Sequence, residues 1–237
     1  MKPLVCLVGM LTAAAANAGV TYGESPRNFM LEVKLGPYIP LIDRSFPVDK
    51  GPFKATFGGT PLILGEVELD FQVFQKFGSA AIGISGGYTE KFGKSQDAMS
   101  GKVSTASTGL RLVPIKLLAI YRFDYYAIHK RIPLVPYLKA GFVGMPWWVT
   151  NGGEVEVAEG DRGAGVKFGA VGVFGLSVLL DVLDDRLSRD FDNSMGVNHS
   201  YLFAEFALQE VNNFKPVTAG QLDFSSQHFM FGLGFEF

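Results

Sequence analysis

The sequence predicts an all-β fold: an eight-stranded antiparallel transmembrane β-barrel with one short periplasmic helix. Three observations predict it. Apolar and polar residues alternate in segment after segment, the signature of strands with two unlike faces. The chain is apolar, with 21 Phe and a mean hydropathy of +0.21, yet no run is long enough for a spanning helix. The clearest run past the N-terminus, 168–180, has 13 residues where about 20 are needed. The connections also alternate, long at odd positions and mostly shorter at even ones, as in barrels with long outer loops and short inner turns.

The first segment, "FMLEVKLGPY" (29–38), sets Phe29, Leu31, Val33 and Leu35 against Met30, Glu32, Lys34 and Gly36. The second, "ILGEVELDFQVF" (63–74), sets Ile63, Val67, Leu69, Phe71 and Val73 against Leu64, Glu66, Glu68, Asp70 and Gln72. The third, "AAIGISGGY" (80–88), opposes Ala80, Ile82, Ile84 and Tyr88 to Ala81, Gly83, Ser85 and Gly87. The fourth, 110–122, holds Pro114, which removes a ladder donor and predicts a bulge or bend. In the fifth, 134–147, Leu138, Ala140 and Phe142 oppose Tyr137, Lys139 and Gly141. The sixth, 165–175, sets Val166, Phe168, Ala170 and Phe174 against Lys167, Gly169, Val171 and Val173. In the seventh, "SYLFAEFAL" (200–208), Leu202, Ala204, Phe206 and Leu208 oppose Tyr201, Phe203, Glu205 and Ala207. The eighth, "HFMFGLGFEF" (228–237), puts Phe229, Phe231, Leu233, Phe235 and Phe237 on one face and must pair with 29–39 to leave no edge in the bilayer.

The sixth connection breaks the pattern of short turns. Leu179, Leu180, Leu183 and Leu187 share a helical stripe, which predicts a short amphipathic helix over 177–192. Its simplest role is connection; docking on the barrel mouth or the membrane surface is the alternative.

Which face meets lipid follows from the other face. Glu32, Lys34, Glu66, Glu68, Asp70, Lys139 and Glu205 lie opposite the apolar rows. An eight-stranded interior is only just wide enough for side chains, so rows of Phe on nearly every strand belong outside. Tyr88, Trp147 and Trp148 at the loop ends, and Phe29, Tyr121, Tyr125, Tyr126 and Phe237 at the turn ends, are expected to form two aromatic girdles.

Residues 1–18, "MKPLVCLVGMLTAAAANA", have a basic start, an apolar centre and an Ala-Asn-Ala end, the layout of a secretory signal cut after Ala18. Residues 19–237 then form the barrel domain, without a cysteine because Cys6 leaves with the leader. Removing Lys2 leaves 20 basic against 23 acidic residues, a balance of −3 with no basic run, so no nucleic-acid partner is expected.

The alternating termini resemble small bacterial outer-membrane β-barrels of the OmpA/OmpW type. "ESPRNFMLEVKLGPYIP" and "GVNHSYLFAEF" resemble, more narrowly, an uncharacterised outer-membrane barrel family of myxobacteria. The resemblance implies an outer-membrane location in a Gram-negative cell envelope. It also implies lipid bilayer and lipopolysaccharide as surroundings. Phe229, Phe231, Leu233, Phe235 and Phe237 would then be the C-terminal signal for the barrel-assembly machinery. It brings no catalytic residues and leaves the loop ligand unknown.

No HExxH, CxxC, Walker A or GxSxG motif occurs, and neither enzyme activity nor cofactor is expected. His199, Ser200 and Glu205 are the nearest thing to a hydrolytic set. Six residues of strand hold His199 and Glu205 roughly 20 Å apart, and Ser200 faces away. His199 is expected to hydrogen-bond at the periplasmic rim, and His228 to lie at the opposite end. The acidic loop 151–162, with Glu154, Glu156, Glu159 and Asp161, matches no calcium-loop spacing and reads as solvated.

The lumen charges either plug the barrel or line a narrow pore. Unpaired buried charge is costly, so a plug of ion pairs is favoured. Five acids against two bases at the seven positions would make any residual passage prefer cations. The functions expected are therefore a structural or interaction role through the extracellular loops, a narrow channel or port for small hydrophobic molecules, and, behind both, a lipid-modifying enzyme.

Overall fold

The computed structural model describes residues 27–47, 51–94, 107–130, 132–155, 157–158, 161–182, 196–218 and 220–237. The strands are β1 (Phe29–Tyr38), β2 (Leu62–Gln75), β3 (Ser79–Gly93), β4 (Thr108–Leu112), β5 (Ile115–Arg122), β6 (Leu134–Asn151), the short β7 (Glu154–Val155), β8 (Val157–Ala158) and β9 (Asp161–Arg162), then β10 (Ala164–Leu179), β11 (His199–Glu210) and β12 (Ser226–Glu236). β4 and β5 are two halves of one wall, since both pair with β3 and with β6. Eight antiparallel walls result.

The ring closes where the terminal alternation predicts. Leu31 stands opposite Phe235, Val33 opposite Leu233 and Leu35 opposite Phe231, while Glu32 and Lys34 oppose Gly234 and Gly232. The last residue takes part: Phe237 donates its N–H to Phe29 O at 2.8 Å and accepts from Phe29 N at 3.0 Å. A closed ring leaves no unpaired edge, the condition for strands to cross a membrane.

Burial divides the two faces. Ile63 is 67% and Phe142 66% exposed on the outside, whereas Glu68 is 0% and Lys139 2% exposed within. A continuous apolar outer wall around a charged interior is stable only if the wall meets lipid. Among the described residues no helix is long and apolar enough to cross a membrane; the strands do the crossing.

Local irregularities have local causes. Pro114 interrupts the fourth wall as expected: its carbonyl accepts from Gly87 N at 2.8 Å, and Val113 N turns to Pro146 O at 2.9 Å. Between Gln72 and Phe74 the β2–β3 register shifts by a bulge.

Two expectations are corrected. Ser177–Leu179 continue β10 instead of opening a helix, and Leu180–Val182 form a single 3-10 turn; residues 183–192 of the predicted helix lie outside the described residues. Leu179 is buried in the lumen beside Val135 and Tyr201, so strand packing takes the residue that the helical stripe claimed. The short helix seen at this end of the barrel is Tyr125–Lys130, in the turn between β5 and β6. The second correction is Trp147, which packs inward on Phe224 at 5.6 Å between ring centroids instead of joining an outer girdle.

Trp147 marks the fold's second feature, a loop cap over the barrel mouth. The 3-10 turn Ile42–Ser45 and the helix Pro52–Phe57 send Ile42 and Phe53 into a buried cluster with Tyr38, Leu62, Met145 and Phe224. Asp43 orients the helix by accepting from Phe53 N at 2.8 Å and Lys54 N at 3.0 Å. Asp43→Ala should cost about 1 kcal/mol, the usual worth of a helix cap. The expected sign is faster proteolysis in 51–61 with the barrel intact; an unchanged cleavage rate would remove Asp43 from this role.

Candidate functional site

All seven lumen residues predicted from the alternation are buried inside the barrel: Glu32 and Lys34 from β1, Glu66, Glu68 and Asp70 from β2, Lys139 from β6 and Glu205 from β11. Register explains why they need one another. Glu32 lies directly opposite Glu68, and Lys34 opposite Glu66. Two carboxylates facing across a strand pair repel. Lys139 reaches across the lumen and places Nζ 2.5 Å from Glu32 Oε2 and 2.5 Å from Glu68 Oε1. Lys34 does the same from the other side, at 2.7 Å from Glu68 Oε2 and 2.8 Å from Glu205 Oε1.

Two cations of the network escape the sequence reading. Lys116 Nζ, from β5, lies 2.5 Å from Glu66 Oε1. Arg122 Nη2 lies 2.8 Å from Glu32 Oε1 and pairs with Asp70. Within the network they bring the count to four cations against five acids, with Glu236 a further acid below it, so the five-to-two excess that suggested a cation-preferring passage narrows. Tyr137 adds a hydrogen bond from its hydroxyl to Glu205 Oε2 at 3.0 Å. Nearer the periplasmic end Gln72 Nε2 donates to Glu236 Oε1 at 2.5 Å, and Tyr201 OH to Glu236 Oε2 at 3.3 Å.

Glycines make the room. A Cβ on Gly83 would lie 2.3 Å from Asp70 Oδ1, and one on Gly175 would lie 2.0 Å from the Tyr137 ring. Small residues on one wall therefore accept the long polar side chains of the next, which lets charges from five walls meet in a narrow lumen. Carboxylate oxygens of Glu32, Glu68 and Asp70 come within 4.8 Å of one another, and Lys139 and Arg122 supply the positive charge between them.

The histidine set does not converge. His199 Nδ1 lies 2.6 Å from Asp181 Oδ2, and Asp181 Oδ1 accepts from Ser200 N at 3.1 Å, which ties the turn just after β10 to the start of β11. This is the rim hydrogen bond expected of His199, with a partner the sequence did not single out. Glu205 is held by Lys34 and Tyr137 instead. His228 is the third residue of β12, at the other end of the barrel. Of the acidic loop, Glu154 is exposed, and Glu156 and Glu159 lie outside the described residues.

The C-terminal row is placed as the alternation requires. Phe229, Phe231 and Leu233 are exposed on the outer face, and Phe235 and Phe237 are half-buried there.

No protein-family model matches the chain, and no curated protein matches it. Solved structures do. Neisserial surface protein A (NspA) is 15% identical, with 88% of this chain and 97% of that chain covered at a TM-score of 0.47. The outer membrane protein OprG from Pseudomonas aeruginosa is 12% identical, with 91% and 98% covered at 0.49. Ail, the attachment invasion locus protein of Yersinia pestis, is 10% identical, with 89% and 97% covered at 0.38.

Proposed function

We propose that the protein is a non-enzymatic outer-membrane β-barrel whose lumen is closed by its own ion pairs, and that its role is structural or interactive, carried by the extracellular loops. The observation that carries this reading is the network itself. Lys139 and Lys34 each bridge carboxylates of different walls inside a fully buried interior, which fills the lumen with paired charge. The loop cap around Phe53 and Phe224 adds an apolar stopper at the mouth. Both speak against the alternative of an open port.

The 1–18 leader and the outward Phe row support export and insertion, with lipid and lipopolysaccharide as surroundings and the assembly machinery reading Phe237. Kinship with the myxobacterial family that 24–40 and 196–206 resemble is part of the same proposal.

Location is tested by fractionating washed cells and running the unheated and heated protein on a gel. The expected result is membrane sedimentation with heat-modifiable migration, the sign of a folded barrel. Recovery as a soluble periplasmic protein would overturn the proposal.

A further inference from the structure

At the loop end of one wall, six buried polar atoms have no hydrogen-bond partner among the described residues: Oε1 and Nε2 of Gln209, Oδ2 of Asp223, Oγ of Ser226, and both ring nitrogens of His228. Register gathers three of these four residues. Gln209 stands opposite Ser226 and Ala207 opposite His228, two residues deeper; Glu205 of the charge network faces Met230 one step below. Asp223 lies in the chain just before β12, where its Oδ1 accepts from Ser225 N at 2.9 Å. All four side chains are at least nine-tenths buried.

Native proteins partner nearly all buried polar atoms, and leaving them dry is costly. Other such atoms are scattered along the lumen, at Ser79, Ser85 and Thr89 among others, but these six lie on neighbouring strand ends, and what covers them is the apolar loop cap. Tyr38 contacts the His228 ring at 5.3 Å and donates its hydroxyl to Phe224 O at 2.5 Å. The cap is stitched by few bonds: Ser45 Oγ to Gln221 O at 2.5 Å, Gly220 N to Ser45 O at 3.0 Å, and Leu41 N to Ser225 O at 2.9 Å. A patch this rich in unmade hydrogen bonds, under a cover made of two loops that pack by apolar contact, points to a second state in which the cover lifts.

We infer that Gln209, Asp223, Ser226 and His228 form a binding site for a small hydroxyl-bearing solute, gated by the two-loop cap. The inventory selects the chemistry. Asp223 accepts only, Gln209 offers one donor group and one acceptor, neutral His228 offers one of each, and Ser226 does either. A hydroxyl both donates and accepts, so a polyol satisfies such a mixed set. The site goes beyond the plug, because it lies on the loop side of the charge network and needs no passage through it.

Engineered thiols test this in a Cys6→Ser background of the folded barrel. Ser226→Cys places a near-isosteric thiol in the patch, and Thr218→Cys an exposed one in the same loop. Labelling by a small charged thiosulfonate is timed for both, with and without molar glycerol, and again with Ser45→Ala added. Cys at 226 is expected to label slowly, and about fivefold faster once the Ser45 hydrogen bond is gone. Glycerol is expected to slow 226 by about twofold relative to 218, as an occupant competing for the site does. Heat-modifiable migration confirms that each variant is folded. Complete protection of 226, with or without Ser45, overturns the site. Rapid labelling indifferent to Ser45→Ala overturns the cap as its gate. Equal slowing of both thiols by glycerol overturns the solute class.

Discussion

Lys139→Met is expected to destabilise the barrel by about 3–5 kcal/mol, the usual result of removing one partner of a buried ion pair. The side chain lost is the one that separates Glu32 from Glu68, which face each other across β1 and β2. Lys34 still holds Glu68 and stands 3.7 Å from Glu32, and Arg122 still holds Glu32, but the two carboxylates lose the one cation that lies 2.5 Å from both. A methionine also keeps the stem volume beside Tyr137 and Phe203, so the loss is electrostatic and not a cavity. Urea unfolding in lipid vesicles measures it. A second variant sharpens the interpretation: adding Glu32→Gln and Glu68→Gln to Lys139→Met should recover much of the loss, because an uncharged set has no charge left stranded. A midpoint unmoved by Lys139→Met would mean that water, and not Lys139, neutralises these carboxylates.

The second large effect is expected at Gly169. It faces inward on β10 where the end of β11 crosses close by, and a Cβ there would lie 1.7 Å from the Glu210 carbonyl oxygen. The obstacle is backbone, so no rotamer change relieves it. Gly169→Val must push β10 and β11 apart near Val211, at a cost of about 3 kcal/mol or more for so rigid a contact. Loss of the heat-modifiable band is the expected readout. Gly172, on the same strand, has open space where a Cβ would stand and is the control: Gly172→Ala should leave the band unchanged. Equal behaviour of the two variants would remove the steric explanation.

The eight walls and the lipid face were legible because a half-lipid, half-lumen strand writes its geometry as a period of two. β1 and β12 show this best, where the lumen side carries Glu32, Lys34 and two glycines against an unbroken apolar row. Lys116 and Arg122 were hidden because β5 is apolar on both faces: Leu118 and Ile120 pack inward with Ala81 and Tyr137, while Ile115 and Leu117 face lipid. The clue lay in their parity, since two cations six residues apart in such a stretch can only share the lumen side. The loop cap was out of reach for a different reason. Phe53, Trp147 and Phe224 meet across most of the chain length, and no local period encodes that encounter. The start of the helix assigned to 177–192 shows the opposite error: at 177–179 a leucine at helical spacing also satisfies a strand end that enters a crowded lumen, as Leu179 does.

The lumen closed by paired charge is tested most directly by single-channel recording of the purified wild-type protein in planar bilayers at neutral pH. A silent membrane is expected, because Lys34, Lys139, Arg122 and Lys116 hold their carboxylates across the lumen. Reproducible, long-lived conductance steps from the wild-type barrel would show instead that the charge network leaves a passage open.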